Sequence, residues 1–367
     1  MLERDKQAAE ESWLSQAAPW RSVSFAETSS CDQASRYTTG IFYLFCHVIL
    51  SLSAARLVFG FLARDFEWSP PHLGSGMAFI FLYFHATIGP LFHLFFDLSA
   101  ETKHLLFNEP RRHAIQVLRA FFSGYLKKYL LNGAMAYMAV YGVLVSYTNL
   151  KPAIPLLNHR LYDDILFRCD AWILNLLTCG GLYILPKTPY LTHCFDTMYF
   201  FLWPLACLTL LLASREEAVF WRFTSAWCVA FALSLPFSIL FPTMGPAFFK
   251  PELYRHITGT CSAGAMERLW SHYQSFKSYP LQTPIVTANG IVGMPSLHIA
   301  LCYLSSLAIG ALYPRLRFLM GGVVLLFVVA TVYLGWHYLL DALGGIGVGW
   351  IAHKISCRWF YRKSRNT

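Results

Sequence analysis

Charge is what this sequence has least of. Asp, Glu, Lys and Arg make up only 13% of its 367 residues, against about 25% in an average soluble domain. A soluble enzyme of this size could not hide the matching apolar surface in one core. Disorder is excluded as well, because 56% of the residues are hydrophobic and 17% aromatic. No basic run carries interleaved aromatics, so the formal charge of +9 is not a nucleic-acid footprint, and no nucleic-acid partner is expected. The ten cysteines form no CxxC pair and no zinc spacing. Cys46, Cys207, Cys228 and Cys302 stand in apolar stretches, where the thiol acts as a small hydrophobe. Residues 1–39 contain no short apolar run ending in small residues, which excludes a cleavable signal peptide. No Asn-x-Ser/Thr acceptor occurs, so nothing marks outer loops as glycosylated, and a bacterial source is favoured.

What the sequence has in abundance is long apolar runs, with a mean hydropathy of +0.44. They fall at 41–62, 74–98, 129–149, 197–213, 219–242, 294–313, 316–335 and 338–356. Each has about the length that a helix needs to cross the hydrocarbon core, which predicts an all-α integral membrane protein of about eight spans. The stretch 161–186 is ambiguous. Asp163, Asp164, Arg168 and Asp170 precede a moderately apolar run and a Gly180-Gly181 break. An interfacial or re-entrant helix is the first choice, a ninth span the alternative, and the three aspartates read as a solvated face. The loops 99–128, 214–222, 314–317 and 357–367 together hold 14 Lys and Arg in 54 residues, whereas the longer loops 150–196 and 243–293 hold four each. Positive loops stay cytoplasmic. Both termini are therefore expected in the cytoplasm, in a bacterial inner membrane, with 150–196, 243–293 and the 335–338 turn on the opposite face.

Ionisable groups at a membrane face need a reason, because burying them unpaired is costly. Three such places stand out: Phe241-Pro-Thr-Met-Gly-Pro246, Gly293-Met-Pro-Ser-Leu-His298, and Tyr333-Leu-Gly-Trp-His337-Tyr-Leu-Leu-Asp341. No helix crossing separates the first two, and two crossings separate the second from the third. All three therefore share the outer face. Pro295 suits the first position of a helix. His298 then lies in a first turn, where free N–H groups and the helix dipole favour an anion such as phosphate, and Ser296 can add a hydroxyl donor. His337 and Asp341 are four apart and share a helix face. A carboxylate holding one imidazole nitrogen leaves the other basic and aimed. Two histidines about a phosphorus suit in-line displacement, one attacking and one protonating the departing oxygen. No metal and no cofactor is required for this.

At these residues the chain resembles the type 2 phosphatidic acid phosphatase superfamily of membrane lipid phosphatases and phosphotransferases. It is most similar to the inositol phosphorylceramide synthase-like branch, in Met294-Pro-Ser-Leu-His298, in Thr331-x-Tyr333-Leu-x-x-His337-Tyr338-x-x-Asp341 and in the Phe-Pro-Thr loop at 241–243. The likeness spans about residues 125–356. It implies a six-helix core in which His337 is the nucleophile that becomes phosphorylated, Asp341 orients it and His298 is the general acid. It also implies a phospholipid donor, with inositol phosphate as the favoured head group, and a lipid or glycan alcohol as acceptor. The sequence departs from the phosphatase branch twice. The position six before the nucleophile is Thr331 rather than Arg, and Lys250-Pro-Glu-Leu-Tyr-Arg255 does not match the branch's Lys-x6-Arg-Pro element. Two phosphate clamps are thereby missing. Lys250, Arg255 and His256 on the outer loop are the candidates to replace them, and Tyr338 and Asp196 are further candidate substrate contacts.

The chain then divides into a polar arm (1–39), two additional spans with a basic amphipathic segment (40–124), the catalytic core (125–356) and a basic tail (357–367). Plainer readings stand beside the sharper ones. Asp341 could cap the last helix, and Asp196 could be a helix-start acid. His47, His85, His93, His193 and His353 are read as snorkelling or capping residues. The Gly344-Gly345-x-Gly347-x-Gly349 run lies mid-span and is read as close helix packing. Transfer to an alcohol, transfer to water, and lipid transport without chemistry remain three readings. Transport would want inverted repeats or charges at mid-membrane depth, and Arg56 is the clearest charge inside a span.

Overall fold

The structure, a computed structural model, describes residues 30–61, 126–177, 185–279 and 293–360. Among these residues the ordered elements are all helical. They are α1 (Ser30–Phe61), α2 (Leu126–Leu157), α3 (Asp163–Leu177), α4 (Pro189–Phe200), α5 (Leu202–Ala213), α6 (Glu217–Leu240), α7 (Cys261–Ser278), α8 (Leu297–Leu312), α9 (Arg317–Tyr333) and α10 (Leu339–Phe360). A single helical turn, Pro246–Phe249, and a short 3-10 helix, Pro251–Ile257, link α6 to α7. The 74–98 run, most of the 1–39 arm and of the 99–128 segment, and the tail beyond 360 lie outside the described residues.

Thr38–Val58, Tyr129–Leu157, Glu217–Leu240 and Pro314–Tyr333 are long and apolar enough to cross a membrane. The pair α4 and α5, bent by 42° at Phe201, makes a fifth if it is one broken span. The apolar runs predict more spans than that. α8 is apolar but only 16 residues long, and α10 is diluted by Asp341, His353 and Lys354. In the ambiguous stretch 161–186, Asp163–Leu177 is the 15-residue α3, and residues 178–184 lie outside the described residues.

α6 is the axis of the bundle, packed against α10, α2 and α8. Its Phe220 and Trp221 are buried completely. Around it the outward faces are apolar too: Phe318 is 92% exposed and Leu325 65%, with Ile49, Leu50 and Leu57 open on α1. Such faces suit hydrocarbon rather than water. In hydrocarbon, helices associate through close packing and hydrogen bonds, because lipid is as apolar as leucine. The α8–α10 crossing works this way. A Cβ at Gly345 would overlap the Ser296 carbonyl oxygen, and one at Gly349 would stand 3.0 Å from that of Ala300. The two glycines, four apart, let the backbones touch and bring the first turn of α8, with His298, against the first turn of α10, with Asp341. The Ser296 N–H donates to the Asp341 carbonyl at 3.0 Å.

Candidate active site

The nucleophile candidate is presented by a tight reversal between α9 and α10. Gly335 has φ +76, a conformation that glycine adopts without penalty. A Cβ there would also strike Tyr254 and Ala247. Its N–H donates to the Val332 carbonyl at 3.1 Å, and the Trp336 N–H to the Thr331 carbonyl at 3.0 Å, which closes α9 in a Schellman motif. Thr331 is fully buried, and its hydroxyl donates to Val328. The position where a phosphatase would have an arginine thus builds the turn.

His337 follows, 7% exposed. Its Nδ1 lies 3.6 Å from Asp341 Oδ2, within ion-pair range and beyond a hydrogen bond. Among the described residues neither His337 Nδ1 nor Asp341 Oδ1 has a hydrogen-bond partner. Such contacts are often long in unliganded enzymes and tighten on binding. Asp341 Oδ2 also accepts the Tyr338 N–H at 3.1 Å, so the acid in the third helical position reaches back to cap its own helix. Capping and orienting coexist in one carboxylate. His298 stands opposite, in the first turn of α8, with its ring centroid 6.3 Å from that of His337.

The Phe-Pro-Thr loop completes this arrangement. The Gly293 N–H donates to the Thr243 carbonyl at 3.0 Å and the Met294 N–H to Thr243 Oγ1 at 3.1 Å. A Cβ at Gly293 would lie 2.9 Å from Thr243 Oγ1 and 3.1 Å from Asp341 Oδ2. Glycine is therefore needed for the 293 strand of chain to lie against the pair. The three stretches singled out in the sequence meet here.

Several assignments change. Ser296 is the residue that caps α8, its hydroxyl accepting the Ile299 N–H at 3.4 Å, and Pro295 precedes the cap instead of opening the helix. Asp196 is buried, and its two oxygens accept the Cys261 and Ser262 N–H groups at 2.8 and 2.9 Å. It caps α7, a helix that also holds Trp336 through Ser262 Oγ. The Tyr338 hydroxyl donates to Asp163 at 2.9 Å. Lys250 lies over the ring of Phe249, and Arg255 is exposed. His256 donates from Nε2 to the Tyr333 carbonyl at 3.1 Å and packs edge-on against that ring. Burial, more than any other cause, lowers the His256 imidazole. The contacts of these last three lie away from His298, His337 and Asp341.

Asp163 and Asp170 are not a solvated face. Both are buried, seven residues apart on the inward side of α3, while Asp164 pairs with Arg168 on the outward side at 2.7 Å. Asp163 accepts the Met244 and Gly245 N–H groups at 2.9 and 3.0 Å in addition to Tyr338. Asp170 accepts the N–H groups of Leu339 and Leu340, and so caps α10 from a neighbouring helix. Burial pushes Asp170 up to about 6, against the pull of those two donors. α3 thus clamps the Thr243 loop with one carboxylate and the nucleophile turn with the other. Asp163→Ala would leave three donors unpaired, at a cost of roughly 1–3 kcal/mol for each that water does not reach. It is expected to lower the unfolding temperature in detergent and to reduce kcat more than it raises KM, with Asp163→Asn restoring part of both.

Two contributors had no signal in the sequence. Tyr199 on α4 stacks on His298 at 4.4 Å and on Trp336 at 5.1 Å, with its hydroxyl 3.4 Å from His298 Nδ1. Lys151 sits near the end of α2, inside the helix, with its ammonium over the ring of Tyr147 at 5.9 Å. Among the described residues no carboxylate pairs with it. Burial first, and the Lys151 charge second, hold His337 well below the usual imidazole range. The site therefore offers a neutral imidazole braced by a carboxylate, a second imidazole facing it, and a cation without a counter-ion. This combination suits attack on a phosphoryl group.

No curated protein and no solved structure matches the chain. The family model of the PAP2 superfamily, the type 2 phosphatidic acid phosphatases, matches residues 164–355, which hold both histidines and the carboxylate between α3 and α10. That match covers more than half of the 367 residues, and the chain belongs to the PAP2 superfamily.

Proposed function

We propose that this protein is a membrane lipid phosphotransferase that moves a phospho-head group from a phospholipid to an alcohol through a phosphohistidine at His337. PAP2 superfamily membership supports a lipid phosphatase or phosphotransferase in general. The observation that carries the finer reading is the facing pair His298 and His337, with ring centroids 6.3 Å apart and Asp341 behind the second. Nδ1 of His337 faces Asp341, so Nε2 is the attacking atom. It forms a bond to the donor phosphorus as the bond to the lipid alkoxide breaks. His298, which takes up a proton as the anionic donor binds beside it, gives that proton to the departing oxygen. The alcohol acceptor then loses its proton to His298, its oxygen bonds to phosphorus, and His337 leaves as a neutral imidazole. Asp341 stabilises the positive charge that His337 carries in between, and Lys151 offsets the charge on the phosphoryl oxygens.

Burial of His337 under apolar side chains favours an alcohol over water as acceptor, because a closed site limits hydrolysis of the intermediate. Inositol phosphate is the head group proposed, a lipid or glycan alcohol the acceptor, and the non-cytoplasmic face of a bacterial inner membrane the location of the site. Purified protein given a phospholipid labelled in the head group tests this. Transfer of label only when an alcohol is present is the expected result. Release of water-soluble phosphate without an acceptor would make the enzyme a phosphatase. Lipid movement across proteoliposomes that survives loss of both histidines would make it a transporter.

A further inference from the structure

A cavity of about 210 Å³ opens beside the nucleophile, between α3 and the outer end of α9. His337 forms part of its wall, and the rest is mostly apolar, including Phe167, Leu174, Val328, Val329 and Val332. Three of its polar wall residues turn their polar atoms elsewhere. Asp170 accepts from Leu339 and Leu340, the Tyr338 hydroxyl donates to Asp163, and the Tyr333 hydroxyl donates to the Pro186 carbonyl at 3.1 Å. The wall is thus mostly hydrocarbon, with the His337 imidazole and Tyr254 also in it. An apolar wall of this kind accepts apolar guests.

The α9 wall of the cavity lies on the same helix face as a residue open to the bilayer side. Leu325, Val329 and Val332 stand at i, i+4 and i+7 on α9 and form one stripe. Leu325 is at the exposed end, and the two valines line the cavity. A chain lying along this stripe passes from the lipid face of α9 to the ring of His337 without meeting an unpaired polar group.

We propose that this cavity is the binding site for a hydrocarbon chain of the lipid substrate, which enters laterally from the membrane along the Leu325–Val329–Val332 stripe. It rests on the phosphotransfer reading of His337, since a guest touching that ring must be attached to the group that reacts there. Chain and head group are thereby separated, the chain between α3 and α9 and the phosphate between the two imidazoles. The donor carries such a chain, and so does the acceptor where it is a lipid alcohol, and the experiment distinguishes the two.

Val329→Phe places a ring in the cavity, and Val329→Ala enlarges it. In one arm the acyl chains of the phospholipid donor are lengthened stepwise against a short alcohol. In the other the donor is kept short and the chain of the acceptor alcohol is lengthened. In the arm that uses the cavity, Val329→Phe is expected to cut the preference for long over short chains at least about tenfold, since each buried methylene contributes near 0.8 kcal/mol. Val329→Ala should move the optimum to longer chains. Loss of activity that is uniform across chain lengths in both arms would overturn the proposal. A second measurement needs no turnover. A phospholipid with a diazirine at the end of its acyl chain is crosslinked to His337→Ala protein, which is expected to label peptides spanning 167–174 and 328–332 and to lose that label when Val329→Phe is added. Labelling confined to the Tyr199 and His298 side would overturn the cavity assignment. Wild-type turnover by His337→Ala would instead overturn the phosphotransfer reading and leave the crosslink to decide the cavity.

Discussion

His337→Ala is expected to lower turnover by at least about 10⁴-fold, the scale seen when a covalent nucleophile is removed. The protein should remain folded, because the turn that carries residue 337 is held by Gly335, by Thr331 and by the Asp170 cap on α10 rather than by the imidazole itself. His298→Gln is expected to behave differently. Loss of a general acid costs about 10²–10⁴-fold with an ordinary alkoxide. A donor with a good leaving group, such as a nitrophenyl ester, does not need that proton, so its first displacement is spared. The second displacement still needs a base to take the proton of the acceptor. Phosphorylated enzyme should therefore accumulate in His298→Gln and not in His337→Ala. Equal loss in both variants with every donor would reverse or dissolve the assigned roles.

Lys151→Met is expected to reduce kcat/KM by about 10–100-fold, the worth of a charge-assisted contact of roughly 1.5–3 kcal/mol. Most of the loss should fall on KM for anionic donors. The pH profile supplies an independent readout. His337 is lowered by burial and then by the Lys151 ammonium, so its neutral form persists as the pH falls. Taking the cation away lets that pKa rise, and the acidic limb of kcat/KM should move to higher pH. Lys151→Arg keeps the charge and should keep the limb in place while restoring part of the affinity. A limb that stays put in Lys151→Met would place the ammonium outside the reach of the site.

The residues at the centre were legible because their logic is local. His337 and Asp341 are one helical turn apart, and counting crossings puts His298 on the same side without any coordinates. Lys151 was not legible, for a reason that lies in its own segment. Pro152 and Pro155 look like helix terminators, which makes Lys151 a loop charge. In the structure α2 runs through both prolines to Leu157, and the lysine is carried inward. Asp163 and Asp170 were misread because their partners, the N–H groups of residues 244, 245, 339 and 340, are distant in sequence and carry no side-chain signature. A hint existed: Asp164 and Arg168 mark the outward face of α3, and Asp163, Leu166 and Asp170 fall together on the opposite one. Asp196 and Ser296 illustrate the reverse case. Asp196 lies inside α4 rather than at a helix start and caps α7 from there, and Ser296 caps α8.

The α3 clamp and the glycine crossing between α8 and α10 together give the histidine pair its geometry. One fixes the His337 turn, and the other fixes His298 against it. The geometry of the pair therefore depends on a few backbone contacts that tolerate little added volume, rather than on a dense array of charged side chains.

The most direct measurement is to locate the covalent intermediate. Wild-type protein mixed briefly with a phospholipid labelled at phosphorus, quenched in alkali and digested, is predicted to carry acid-labile label on the peptide that contains residue 337, and to lose it when an alcohol acceptor is added before the quench. Label on residue 298, or turnover with no labelled peptide, would contradict the account.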